Sequence, residues 1–275
     1  MYNSPTASSD LDHSLPAQYA SLPDLKSDGQ RINPTNLIEP RTGLLVVLAY
    51  IALGVGVLIG GLLTSGILWL ALLIAPIADY FNRKKAMARL RGSSIEVGPQ
   101  QFAELHACAN DFAQRLGMSN LPAIYIVEGN MMNAAAMKIG GRKVIVLIDD
   151  VVDACLRSGD PQTLAFILAH EIAHHALGHT NLIRASVATM FKKISRLDEF
   201  SCDAVANQLV GNAQVSAKAL TTLLSGPQLL RYINLQQLAL QAGEVIADKN
   251  SAKAERALTH PLLLRRIHRF IQPSR

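Results

Sequence analysis

Two histidines four positions apart with a carboxylate between them, His170-Glu171-Ile172-Ala173-His174, are the residues of this chain best suited to chemistry. On an α-helix, positions i and i+4 leave one face a turn apart, so both imidazoles can share a single zinc ion. Glu171 then projects toward the open side of that metal, where it could take a proton from water. A catalytic zinc needs three protein ligands and one free position. The third is expected from Glu199 in Glu199-Phe200-Ser201-Cys202-Asp203, with Asp203 one helical turn on accepting from the far nitrogen of a ligand imidazole. Each motif alone has a bland reading, as a buried helix with satisfied histidines or as a solvated acidic face. An acid pair that follows an HExxH helix reads instead as its metal partner.

The elements that must hold these groups are legible nearby. Asp160 can cap the amino end of the histidine helix, and Pro161 fits its first position. Leu164, Phe166, Ile167, Leu168 and Ile172 supply apolar surface, and Gly178 is a stop. Upstream, Phe102, Leu105, Ala109, Phe112 and Leu116 recur at helical spacing, predicting a helix over 100–116. Ala123 to Val127 and Lys143 to Ile148 are rich in Ile and Val and read as strands of a small sheet, separated by a Gly/Asn/Met loop. Beyond the histidine helix the pattern is helical to the end, broken at Gly211, Gly226-Pro227 and His260-Pro261. The fold class expected is α+β, mostly helical.

Ahead of this domain lie two segments of different character. Residues 1–41 are rich in Ser, Pro, Asp and Asn and read as a flexible polar tail, not a signal peptide. From Leu44 to Ala78 there is no charged residue, a run of roughly 50 Å as helix against about 30 Å of hydrocarbon. Thr64-Ser65-Gly66 offers a turn, so residues 42–82 are expected to form a transmembrane hairpin with spans near 44–63 and 67–81, in preference to the alternative of a single tilted helix. Gly56 and Gly60 form a small-xxx-small pair on which the spans, or two subunits of a homo-oligomer, could pack.

Arg83, Lys84, Lys85, Arg89 and Arg91 follow the apolar run and Lys26, Arg31 and Arg41 precede it, which sets both ends and residues 83–275 on the cytoplasmic side. The net charge of +5 is concentrated in that cluster with no nucleic-acid recognition module beside it, so nucleic acid is not an expected partner. Cys108, Cys155 and Cys202 are odd in number and widely spaced, which argues against a disulfide framework and for a reducing compartment.

The HExxH helix followed by ExxxD is the gluzincin arrangement, and residues 95–270 resemble the HtpX-type membrane metallopeptidases, a group that includes Oma-type and CAAX-prenyl proteases. Asn133-Ala134-Ala135-Ala136 followed by the strand from Lys143 is similar to that family's Asn-Ala segment, and His260-Pro261 with Arg266 to its His-Pro element. The resemblance implies that Asn133, Ala134 and Ala135 bind an extended substrate, and that His260 or Arg266 supports the oxyanion. It also implies the inner or plasma membrane of a bacterium.

Two departures stand out. Cys202 replaces the family's usual Ala before the aspartate, and the interval 181–198 carries Arg184, Lys192, Lys193 and Arg196, so it does not span a membrane. The function expected is a membrane-anchored zinc endopeptidase that cleaves polypeptides in or near the bilayer, misfolded ones among them, by metal-activated water. The alternative is a zinc-containing membrane scaffold without turnover; the base Glu171, which a structural site has no use for, favours the enzyme.

Overall fold

The computed structural model describes residues 30–130 and 132–271 of the 275-residue chain, apart from the side chains of residues 76–81. A 3-10 turn at Pro34–Leu37 precedes helices α1 (Thr42–Leu63) and α2 (Ile67–Gly92), strand β1 (Ile95–Glu96), α3 (Ala103–Arg115), β2 (Ala123–Val127), β3 (Ala134–Ile139) and β4 (Arg142–Ile148). Then come α4 (Asp149–Arg157), α5 (Gln162–Ala176), α6 (Leu182–Met190), α7 (Lys192–Val210) and α8 (Ala213–Ser225). The short α9 (Pro227–Leu230), α10 (Leu235–Ala247), α11 (Lys249–Glu255) and α12 (Leu263–Ile271) complete the described chain. The architecture is α+β and mostly helical.

Helix α5 carries large apolar residues around most of its circumference, and such a helix must sit where neighbours cover it. Every residue from Thr163 to Ala173 is buried, under α3, α7, α8 and the sheet. Leu164, Phe166, Leu168 and Ile172 are almost wholly enclosed, each worth about 1.5–3 kcal/mol of burial before ordering costs. Asp160 Oδ1 accepts the Gln162 N–H at 3.1 Å, which is the expected cap, and the helix stops ahead of Gly178, whose φ of 75° only glycine adopts freely.

The sheet has the order β1-β2-β4-β3. β2 lies parallel to β4, with Ala123 opposite Val144, and β3 lies antiparallel to β4, with Ala134 opposite Leu147. Strand β3 falls in a region rich in Ala, Met and Gly, where the sequence pattern indicates only a loop; pairing with the strongly β-forming β4 supplies what its own propensity lacks. β3 is the outer edge. The Ile148 N–H donates to the Asn133 carbonyl at 3.0 Å, so by antiparallel alternation the backbone groups of Ala134, Ala136 and Lys138 point away from the sheet. Arg83, on α2, donates to the Lys138 carbonyl at 2.8 Å and closes that end of the edge.

Among the described residues one helix is long and apolar enough to cross a membrane, α1, with a mean hydropathy of 2.5 over its best window. Its large side chains, Leu44, Ile51 and Leu62 among them, point outward. Ala49, with Leu45, Val46 and Leu53 around it, turns inward against Val187 and Ala188 of α6 and Ile194 of α7. After Gly66, at φ 87°, α2 folds back on α1: the Trp69 indole donates to the Val57 carbonyl at 3.2 Å. The close approach lies at Gly60 and Gly61, where added Cβ atoms would fall 2.7 Å from Leu68 and 1.9 Å from the Trp69 ring. Gly56, paired with Gly60 by sequence, faces open space.

The expected flexible tail lies outside the described residues up to position 29. From residue 30 the chain is tied to the domain at a few points: Ile32 is buried and its N–H donates to the Arg115 carbonyl, while Glu39 donates its N–H to Ser201 Oγ and pairs with Arg269. Two apolar anchors, Ile32 and Leu37, repay the ordering that the average composition of residues 1–41 does not suggest. All three cysteines are buried and unpaired.

Trp69 is the only tryptophan, so its emission reports on this helix contact. Gly61→Val is expected to displace the ring, at a cost of about 1–3 kcal/mol, and shift the emission of detergent-solubilised protein. Gly56→Val should leave the spectrum unchanged; equal behaviour of the two variants would contradict the packing described.

Candidate active site

Helix α5 presents His170 and His174 on one face, and α7 packs across it with Glu199 opposite. His170 Nε2 is 3.2 Å from His174 Nε2 and 3.5 Å from Glu199 Oε2; His174 Nε2 is 3.4 Å from Glu199 Oε1. Donors about 2.0–2.2 Å from a tetrahedral zinc stand roughly 3.3 Å from one another, so this spacing fits that ion. Every ligand atom of the trio lies within 4.8 Å of the others.

Behind the trio sits the expected aspartate. Asp203 Oδ1 is 2.9 Å from His170 Nδ1, which leaves Nε2 as the nitrogen facing the cleft. Asp203 is held in turn by α12: Arg266 Nε donates to Oδ2 and Nη2 to Oδ1, both at 2.7 Å, while Nη1 is 3.1 Å from Glu199 Oε2. Burial alone would raise the Glu199 and Asp203 carboxyls, but Arg266 and the histidine hydrogen bonds hold both below the usual carboxylate range. Burial would likewise lower His170, yet its hydrogen bonds to Asp203 and Glu199 raise it to about 10. The two carboxylates thus favour positive charge at His170, and a metal bound there would take the place of a proton.

Glu171 is buried and lines a cleft of about 320 Å3 together with the metal-site trio. Asn133, Ala134 and Ala135 form another wall, and Asn133 Oδ1 accepts the Ala134 N–H at the start of the outward-facing edge. His260 and Arg266 both reach the cleft. Arg266 is buried with its guanidinium committed to two carboxylates, so its contacts are those of a positioning group rather than of a free oxyanion donor. His260 stands exposed at the mouth, its Nε2 3.4 Å from Glu199 Oε1.

The remaining histidines divide. His175 is structural, as its position off the ligand face indicates: its ring nitrogens meet Thr180 Oγ1 at 2.9 Å and the Val144 carbonyl at 3.1 Å, and burial lowers it to about 4. His179 also reads as structural by sequence, lying past the helix end, yet its Nδ1 is 3.2 Å from His174 Nδ1 and 3.5 Å from Cys202 Sγ. Its Nε2 is 3.4 Å from Asp198 Oδ1, which takes a hydrogen bond from Arg184 at 2.5 Å. Nothing in helical periodicity could announce His179, because the turn after Ala176 breaks the period; only its nearness in sequence to His174 hints at it. Burial holds the Cys202 thiol well above its ordinary value, with Glu199 and Glu171 adding to the effect, so this sulfur stays protonated.

The model of peptidase family M48 matches residues 99–192 and 181–273, segments that together run from ahead of α3 to the end of α12 and cover more than half of the chain. No solved structure matches the chain. The matched segments contain His170, Glu171, His174 and Glu199, which line the cleft, and Asp203 behind His170. The chain therefore belongs to peptidase family M48, whose members are metal-dependent peptidases.

Proposed function

We propose that the protein is a membrane-anchored, zinc-dependent endopeptidase that cleaves polypeptides in or near the bilayer, misfolded ones among them, from the cytoplasmic side. The observation that carries this reading is the buried Glu171 in a cleft that also holds three metal donors and the outward edge of β3. A zinc ion held by His170, His174 and Glu199 would supply Lewis acidity, polarising the scissile carbonyl and making water acidic at neutral pH.

The chain's own groups do the rest. The outward backbone groups at Ala134 and Ala136 pair with an extended substrate, a contact that tolerates many sequences. Glu171 takes the proton from the attacking water and returns it to the leaving amine. His260, exposed at the mouth, is placed to donate to the developing oxyanion. Arg266 fixes Glu199 and Asp203 and so acts through them. Anchoring is supported by α1, whose apolar side chains face outward, and by the basic residues along the last turns of α2. A scaffold with structural zinc would have no use for an open cleft with a carboxylate at its centre.

Glu171→Gln is expected to retain zinc and to lose about 10²- to 10⁴-fold in kcat/KM on an unfolded protein substrate. Cleavage equal to wild type, or none by either protein in the presence of zinc, would remove the assignment. Arg266→Ala leaves two buried carboxylates without their cation, and urea unfolding should show a loss of about 3–5 kcal/mol. An unchanged midpoint would mean that Arg266 is not the group balancing them.

A further inference from the structure

The two histidine ligands are supported in different ways. His170 has a carboxylate behind it, Asp203, whereas the far nitrogen of His174 meets another imidazole, His179, which itself lies beside the Cys202 thiol. If the metal site proposed above takes Nε2 of both rings, each neutral imidazole carries its proton on Nδ1. For His174 that proton points at His179 Nδ1, 3.2 Å away, and can be accepted only if His179 Nδ1 is bare. The His179 proton then sits on Nε2, 3.4 Å from Asp198 Oδ1, and Asp198 is anchored by Arg184.

The backbone is shaped for this arrangement. Gly178 at φ 75° turns the chain after α5, and the His179 N–H donates to the His174 carbonyl at 2.9 Å, bringing the ring back alongside its partner. His179 and Asp198 are nearly enclosed, so the His179 ring is held by packing as well as by polar contact.

We propose that His179 is the positioning residue for His174, and that the chain His174–His179–Asp198–Arg184 fixes the tautomer and orientation of the second metal ligand as Asp203 and Arg266 fix the first. The inference rests on the metal-centre reading above. It also bears on the other donor group present, His174, His179 and Cys202, whose ligand atoms lie within 4.8 Å of one another. A cation there would need His174 Nδ1 without its proton, so the relay and a second cation exclude each other.

The test is zinc affinity, measured by chelator competition on metal-free full-length protein, beside the melting temperature of each metal-free variant. His179→Ala is expected to weaken zinc binding about 10- to 100-fold, with the metal-free protein still folded and showing a cooperative melting transition. His179→Asn, which keeps an acceptor where Nδ1 stands, should recover most of that affinity, and Cys202→Ala should bind as wild type. Wild-type affinity in His179→Ala, or no recovery in His179→Asn, would overturn the proposal. So would a second equivalent of cobalt(II) whose thiolate charge-transfer absorption Cys202→Ala removes. Failure of the wild type itself to bind zinc would overturn the metal centre along with the relay, and so is distinguishable from failure of the relay alone.

Discussion

Four carboxylates, Glu171, Asp198, Glu199 and Asp203, are buried together where α5 and α7 cross, and the organisation of the site follows from the need to compensate them. Unpaired charge in a protein interior costs several kcal/mol per ion, so such a cluster survives only beside matching positive groups. Arg266 spans Glu199 and Asp203, and Arg184 holds Asp198. Two guanidiniums for four carboxylates leave the cluster short of fixed positive groups, a setting that suits a cation. Asp203 and Glu199 raise His170 against its burial, and burial first, with Glu199 and Glu171 adding to it, raises the Cys202 thiol.

That constraint reaches out into the fold. Arg266 comes from α12, which docks on α8 and α10, so the carboxyl-terminal helices are tied to the metal site through one side chain. Arg184 comes from α6, which carries Val187 and Ala188 against α1. Arg83 runs from α2 to the edge of β3. The three arginines thus join the carboxyl-terminal helices, the segment beside α1, and α2 to the proposed metal site and the outer edge of β3.

Much of the site was legible in the chain. His170, Glu171 and His174 announce themselves because helical spacing converts directly into shared geometry, and Glu199 with Asp203 does so for the same reason. Features that depend on partners distant in sequence were not. β3 is a strand because β4 lies beside it, the segment around Ile32 is ordered because α3 offers its Arg115 carbonyl, and the close helix approach falls at Gly61 because Trp69 folds over it. Arg266 could be named from sequence, but its role could not, since a guanidinium aimed at a substrate and one locked on two carboxylates look alike until α12 is docked.

The central claim is that His170, His174 and Glu199 together make one metal centre. X-ray absorption spectroscopy of the zinc-loaded full-length protein tests it most directly, because it reads the donor atoms without reference to activity. The account predicts a first shell of nitrogen and oxygen only, with the scattering of two imidazoles, and loss of the tightly bound ion in Glu199→Ala. A sulfur in the first shell, or full zinc retention with an unchanged spectrum in Glu199→Ala, would contradict it.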